Sequence, residues 1–210
     1  MLDFVRCGLH TSAFTIIELM TAHKPQIILA SASPRREQLL REMGLRFTVV
    51  RPDNVEEVLT GAVPEVLAVQ NAQCKTRAVA ERHRAAMVIG ADTVVVLEGK
   101  LFGKPRDPAE AGRMLAELAG RRHMVFTGVC LVHRARNVEV TFCDGTKVWM
   151  KPLTPAEIRA YHAKIDPLDK AGAYAAQEHG DTIIERIDGS FSNVMGLPVE
   201  RLRVVLEKLL

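Results

Sequence analysis

The chain has 210 residues, 48% of them hydrophobic and 25% charged, with 14 glycines and 10 prolines. That balance excludes a disordered chain, a collagen-like repeat and a low-complexity segment, and it leaves enough apolar mass for a buried core. The net charge is +3, from 28 Lys and Arg against 25 Asp and Glu spread along the chain. The sequence therefore lacks the basic stripe of a nucleic-acid binder and gives no support for a membrane partner.

Residues 1–24 read as an N-terminal extension. Within it Ala13 to Met20 is similar to a type IV prepilin cleavage site, but Thr21-Ala-His-Lys-Pro25 breaks the apolar run at once. No run reaches the roughly 18 apolar residues of a membrane span, and no secretory signal is evident. The four cysteines, Cys7, Cys74, Cys130 and Cys143, show no C-x-x-C spacing. They are expected to be reduced, mostly buried thiols of a cytoplasmic protein rather than zinc ligands.

From residue 25 to 210 the pattern is that of one folded domain. Gln26 to Ala30 is a short apolar run suited to a buried strand, and Ser33-Pro34 opens a helix that Gly44 ends. Phe47 to Val50 is a second strand, and Arg51 to Pro64 a loop. A long helix is expected from Glu65 to about Arg84, then strands at Met87–Ile89 and Val94–Leu97 separated by a polar break, and a turn at Glu98-Gly99. Asp107-Pro-Ala-Glu110 has the form of a capping box and starts a helix that Gly120 stops. Strands follow around Val125–Val132, Val138–Phe142 and Thr146–Met150. A second capping box, Thr154-Pro-Ala-Glu157, opens a helix to about Ala163. A late strand at Thr182–Ile187 precedes a final helix carrying Val199, Leu202, Val205, Leu206 and Leu209 at helical spacing. Interleaved strands and helices argue for an α/β fold, and the short strand connections make its sheet mixed.

Five clusters carry chemistry. Ser31-Ala-Ser-Pro-Arg-Arg36 joins a strand end to a helix start, where backbone N–H groups, two hydroxyls and two guanidiniums can hold an anion; an ordinary N-cap with solvated arginines reads equally from these residues. Gly90-Ala-Asp-Thr93 places Asp92 in an apolar context, as a metal ligand, a proton acceptor or the side chain of a tight turn. Gly103-Lys-Pro105 reads as a surface loop with one cation. Pro167 to Tyr174, followed by Gln177, is a Gly-containing loop with Asp169 and Lys170 of opposite charge, an ion pair of little worth if exposed. Asp188 to Pro198 reads as a capped connection into the last helix.

Together and in this order, these motifs resemble the Maf family of nucleoside triphosphate pyrophosphatases, also known as septum-formation inhibitors. The resemblance runs from about Gln26 to Leu206. It rests on S-x-S-P-R-R from Ser31, G-A-D-T from Gly90, G-K-P from Gly103, T-G-V from Thr127, P-L-D-K-A-G-A-Y from Pro167 and G-S-x-S-N-V-x-G-L-P from Gly189. It implies a twisted mixed β-sheet flanked by helices, with two lobes around a central cleft (Maf/ITPase-like), and homodimer assembly. The implied activity is hydrolysis of dTTP and UTP to the monophosphate and pyrophosphate with a divalent metal cation, Mg²⁺ or Mn²⁺. The implied roles are clearing non-standard nucleotides and control of cell division. A pyrophosphatase for a modified nucleotide such as 7-methyl-GTP and a non-catalytic division regulator are the alternatives.

Carried over by residue, the resemblance makes Asp92 the proton acceptor, and Glu57 with Asp92 the metal-side carboxylates. Ser31, Arg35 and Arg36 become phosphate contacts, and Lys75, Lys104 and Lys170 the site lysines. Arg35, Thr93 and Gln177 hold positions of base choice. The chain departs from the family pattern at Glu178-His179, where Gly and an apolar residue are usual, and at Asn71, where an apolar residue is usual; the latter reads as peripheral. A glutamine amide at 177 suits the O4 and N3–H of a pyrimidine edge.

Overall fold

The structure, a computed structural model, describes residues 25–53, 55 and 63–210. The N-terminal extension 1–24 and the expected metal-side Glu57 lie outside the described residues. Strands β1 (Ile27–Ala30), β2 (Phe47–Val50), β3 (Met87–Leu97), β4 (Lys100–Phe102), β5 (Arg122–His133), β6 (Val138–Met150) and β7 (Ile184–Asp188) form one mixed sheet. Its order is β2-β1-β3-β5-β6-β7, with β4 also paired to β3. β2, β1 and β3 run parallel, and every other pairing is antiparallel. Around the sheet lie helices α1 (Pro34–Glu42), α2 (Pro64–Ala80), α3 (Pro108–Leu118), α4 (Pro155–His162), α5 (Gly180–Ile183), α6 (Phe191–Met195) and α7 (Val199–Leu209).

The apolar runs are buried on both sides, and the two-residue period of a strand divides them. Ile27, Leu29, Met87, Ile89 and Ala91 pack with Leu39 and Leu40 of α1 and Leu202 and Leu206 of α7. The alternate residues Ile28, Ala30 and Val88 pack with Ala72, Val79 and Ala80 of α2. A separate cluster, with Val95, Leu97, Phe102, Leu115, Leu118, Tyr161 and Tyr174, forms around the far end of β3. These clusters are the cores of two lobes that share one long sheet.

The expected break between two strands at Gly90–Thr93 does not occur: β3 runs unbroken from Met87 to Leu97. Its polar residues stay in the ladder because their side chains find partners on the flanking helices. β6 is likewise continuous through Cys143-Asp-Gly145, held by twelve successive pairings with β5. The turn at Glu98-Gly99 leads into β4, a strand that was not expected; both turn residues have positive φ, the form of a two-residue hairpin. The long helix α2 ends at Ala80 rather than near Arg84. The late strand begins only at Ile184, because Gly180–Ile183 closes one helical turn in which Thr182 Oγ1 donates to His179 O at 2.6 Å.

The capping expectations split. Thr154 and Glu157 form both halves of the box. Asp107 accepts from Glu110 N, but the Glu110 carboxylate reaches one residue further back, to Arg106 N at 2.7 Å. Ser33 occupies the N-cap position of α1 without a side-chain cap bond; Ser31 Oγ accepts from Ser33 N instead, at 3.0 Å. Of the three described cysteines only Cys130 is buried, Cys143 is half-buried and Cys74 exposed, so the expectation of mostly buried thiols fails. Burial pushes the Cys130 thiol up to about 12 and that of Cys143 to about 11, which keeps both protonated at neutral pH. Among the described residues no helix is long and apolar enough to cross a membrane.

Candidate active site

The site follows from how β3 is shared. β5 covers one edge of β3 from Val88 to Val96. On the other edge β1 pairs only as far as Gly90, and β4 begins only at Val95. Ala91 to Val94 therefore face a gap between the lobes. The C-terminal end of β1 delivers Ser31–Arg36 and the start of α1 to the same gap, the place where open α/β sheets collect ligands.

Two glycines bring α2 down onto this part of the sheet. A Cβ at Gly90 would lie 2.2 Å from Thr76 Oγ1, and one at Gly128 would lie 2.3 Å from the backbone of Ala68. The close approach lets two α2 side chains, one turn apart, reach Asp92. Lys75 Nζ donates to Asp92 Oδ1 at 2.5 Å, and Asn71 Nδ2 donates to Oδ2 at 3.2 Å. Asp92 is only 7% exposed, so a partner for its charge is a physical requirement. Asn71 is buried in the site and contacts its central carboxylate, which corrects its reading as a peripheral change.

The opposite face of β3 carries Thr93. Arg36 Nη2 donates to Thr93 Oγ1 at 3.0 Å, and Arg36 Nε to Gly196 O at 2.8 Å. Thr93 Oγ1 lies 3.0 Å from Thr127 Oγ1, and Thr127 Oγ1 donates to Asn193 O at 3.0 Å. Each hydroxyl has one proton. Thr127 spends its proton on Asn193, so Thr93 donates to Thr127 and accepts from Arg36. This directed chain gives the segment Asp188–Pro198 a function beyond a capped connection: through Asn193 and Gly196 it orients Arg36.

Across the gap, Arg35 Nη1 donates to Asp169 Oδ2 at 3.0 Å. Lys170, 4% exposed, donates to Asp169 Oδ1 at 2.7 Å and to Asp166 O at 2.8 Å. Burial works to raise the Asp169 pKa, but the Lys170 hydrogen bond and the Arg35 and Lys170 charges outweigh it and hold the carboxyl below its usual range. This is a partly buried bridge between lobes, which sets aside the alternative of an exposed ion pair of little worth. Gln177 Nε2 donates to Glu178 Oε1 at 3.2 Å.

All nine described candidates meet in one cleft of about 330 Å³. Ser31, Arg35, Arg36, Lys75, Asp92, Thr93, Lys104, Lys170 and Gln177 all line it, with Lys104 the exposed member among them. Gly103-Lys-Pro105 is a loop with Gly103 and Lys104 exposed, as the residues alone suggested, and it also lines the cleft. Five cationic and two anionic side chains line the cleft among the described residues, a surplus that suits a polyanion. Sequence reasoning missed Thr127 as a hydroxyl donor, and Asn71, whose four-residue offset from Lys75 was the available signal.

The sequence profile of the Maf-like protein family matches residues 26–209. The chain belongs to this family. Curated relatives of this Maf-like chain include a dTTP/UTP pyrophosphatase of Gloeobacter violaceus, 48% identical over 173 residues, covering 82% of this chain and 90% of the relative. A second, from Carboxydothermus hydrogenoformans, bears the same name and is 45% identical over 177 residues, covering 84% and 95%. Among solved structures, the Staphylococcus aureus Ham1 protein superposes with a TM-score of 0.51 at 17% identity, over 88% of this chain and 100% of that one. That likeness concerns the fold alone.

Proposed function

We propose that this Maf-like chain hydrolyses nucleoside triphosphates, dTTP and UTP foremost, to the monophosphate and pyrophosphate. The observation that carries this reading is the convergence of Asp92 with cationic side chains from four separate segments in one cleft. Both relatives described above are named dTTP/UTP pyrophosphatase.

In the proposed reaction a water oxygen bonds to the α-phosphorus while the bond to the bridging oxygen of the β-phosphate breaks. Asp92 receives the water proton. Its two oxygens offer about four acceptor positions, and Lys75 and Asn71 use two of those described, so acceptor capacity remains. Arg35, Arg36 and Lys104 neutralise the phosphates and the pyrophosphate that departs, and such electrostatic positioning carries most of phosphate-transfer catalysis. Gln177 meets the nucleobase.

A divalent cation fits this donor set. Mg²⁺ is commonly held by one or two carboxylates together with substrate phosphates. Asp92 is one such carboxylate, and Glu57 is the second that the family resemblance offers. Substrate phosphate oxygens and water would supply the remaining ligands, as is usual for Mg²⁺. When bound, the cation supplies neutralisation of phosphate charge.

The test is a pyrophosphate-release screen across nucleoside triphosphates with Mg²⁺ and with Mn²⁺. dTTP and UTP are expected to lead, and Asp92→Asn to lower kcat by about 10²–10⁴-fold, the range for a lost proton acceptor. Release from no triphosphate, or an Asp92→Asn variant at the parent rate, refutes the proposal.

A further inference from the structure

We infer that Glu178 determines base preference by fixing which end of the Gln177 amide is offered to the nucleobase. The inference deepens the proposed function and rests on it. An amide has a donor end and an acceptor end, and a half-turn exchanges them. A freely turning glutamine would accept uracil, thymine and cytosine alike.

Here the amide does not turn freely. Gln177 Nε2 donates to Glu178 Oε1 at 3.2 Å. A carboxylate only accepts, so the reversed amide would set two acceptors against each other. The same Glu178 oxygen lies 3.6 Å from Lys170 Nζ, an ammonium that also holds Asp169 Oδ1 and the Asp166 carbonyl. Glu178 is thus anchored by a buried cation, and it anchors the amide in turn. Gln177 Oε1 is left buried with no hydrogen-bond partner among the described residues, on a side chain that lines the cleft.

An unpaired buried acceptor is costly, and a ligand N–H that meets it removes the cost. Thymine and uracil carry that donor at N3. Cytosine carries a lone pair there, and a site built around one hydrogen-bond polarity discriminates strongly against the other. UTP and CTP share ribose and triphosphate and differ in base only at N3 and C4, so their ratio reads the hydrogen-bond polarity of that edge.

The experiment measures kcat/KM for UTP and CTP in the parent, Glu178→Ala and Glu178→Gln. Alanine releases the amide, and the UTP:CTP ratio is expected to fall about tenfold or more, the worth of one such hydrogen bond. Glutamine keeps a carbonyl oxygen against the donor-only Lys170, continues to accept from Gln177, and is expected to hold the ratio within about threefold of the parent. Glu178→Ser, too short to reach the amide, repeats the alanine measurement should alanine fail to fold. A ratio within about twofold of the parent in the alanine or serine variant, including an equal loss on both triphosphates, overturns the role of Glu178 and leaves the proposed function standing. A glutamine variant that falls with alanine overturns it as well, since charge and not acceptor geometry would be at work. A parent that releases no pyrophosphate from UTP overturns the function itself and this inference with it.

Discussion

Gly128→Ala is the sharpest probe of the way the fold sets up the site. The added methyl would lie 2.3 Å from Ala68 C and 2.4 Å from Ala68 O and Val69 N, where ordinary contact begins near 3.4 Å. These are backbone atoms of α2 and cannot swing aside. The helix must therefore lift by about 1 Å, a distortion in the class of overpacking changes that cost about 1–3 kcal/mol. Asn71 and Lys75 sit on the same helix just beyond the contact and would be drawn from Asp92. A misplacement of about 1 Å near the reacting groups costs on the order of 10²-fold in rate. The measurement pairs kcat for dTTP at a temperature well below the transition with a thermal melt, where a loss of about 2–10 °C is expected for a chain of this size. Gly112→Ala, in helix α3 with nothing within 4 Å of the added methyl, is the control and should keep parent activity. Parent-like kcat in Gly128→Ala refutes the claim that helix height positions the Asp92 contacts.

Acid should destabilise the protein through His123. Burial holds this histidine neutral down to about pH 4, against an ordinary value of 6.5. The unfolded chain therefore carries the extra proton between those values. Stability is flat above pH 6.5 and falls as the pH drops through the window, by about 2 kcal/mol at pH 5. Urea melts of the parent and His123→Gln at pH 7 and pH 5 read the difference, and equal losses in the two proteins remove His123 as its source. Thr127→Val keeps the shape of a fully buried side chain but breaks the chain from Thr93 to Asn193. It should cost about 1–3 kcal/mol in melts and raise the KM for dTTP by loosening Arg36, and an unchanged KM argues against that orienting role.

Particular residues show how far the sequence could be read. The apolar runs of β1 and β3, the cap at Asp107 and the box at Thr154 act through neighbours a few positions away, so the elements were legible. Continuity of β3 was not. Asp92 and Thr93 read as a break because their partners are Lys75 and Asn71 on α2, Arg36 on α1 and Thr127 on β5. Asn71 looked peripheral for the same reason. The Asp169–Lys170 pair looked like surface charge, because nothing local reveals that Arg35 meets it from the other lobe.

By itself the sequence determined the alternation of strands and helices, the family to which the motifs belong, and nine of the side chains that line the cleft. Only the tertiary structure decided which of them touch. Hydrophobic periodicity and capping are short-range and written in neighbouring residues. The height of α2 over Gly90 and Gly128 and the gap between β1 and β4 are long-range packing outcomes, and they decide which side chains meet in the cleft.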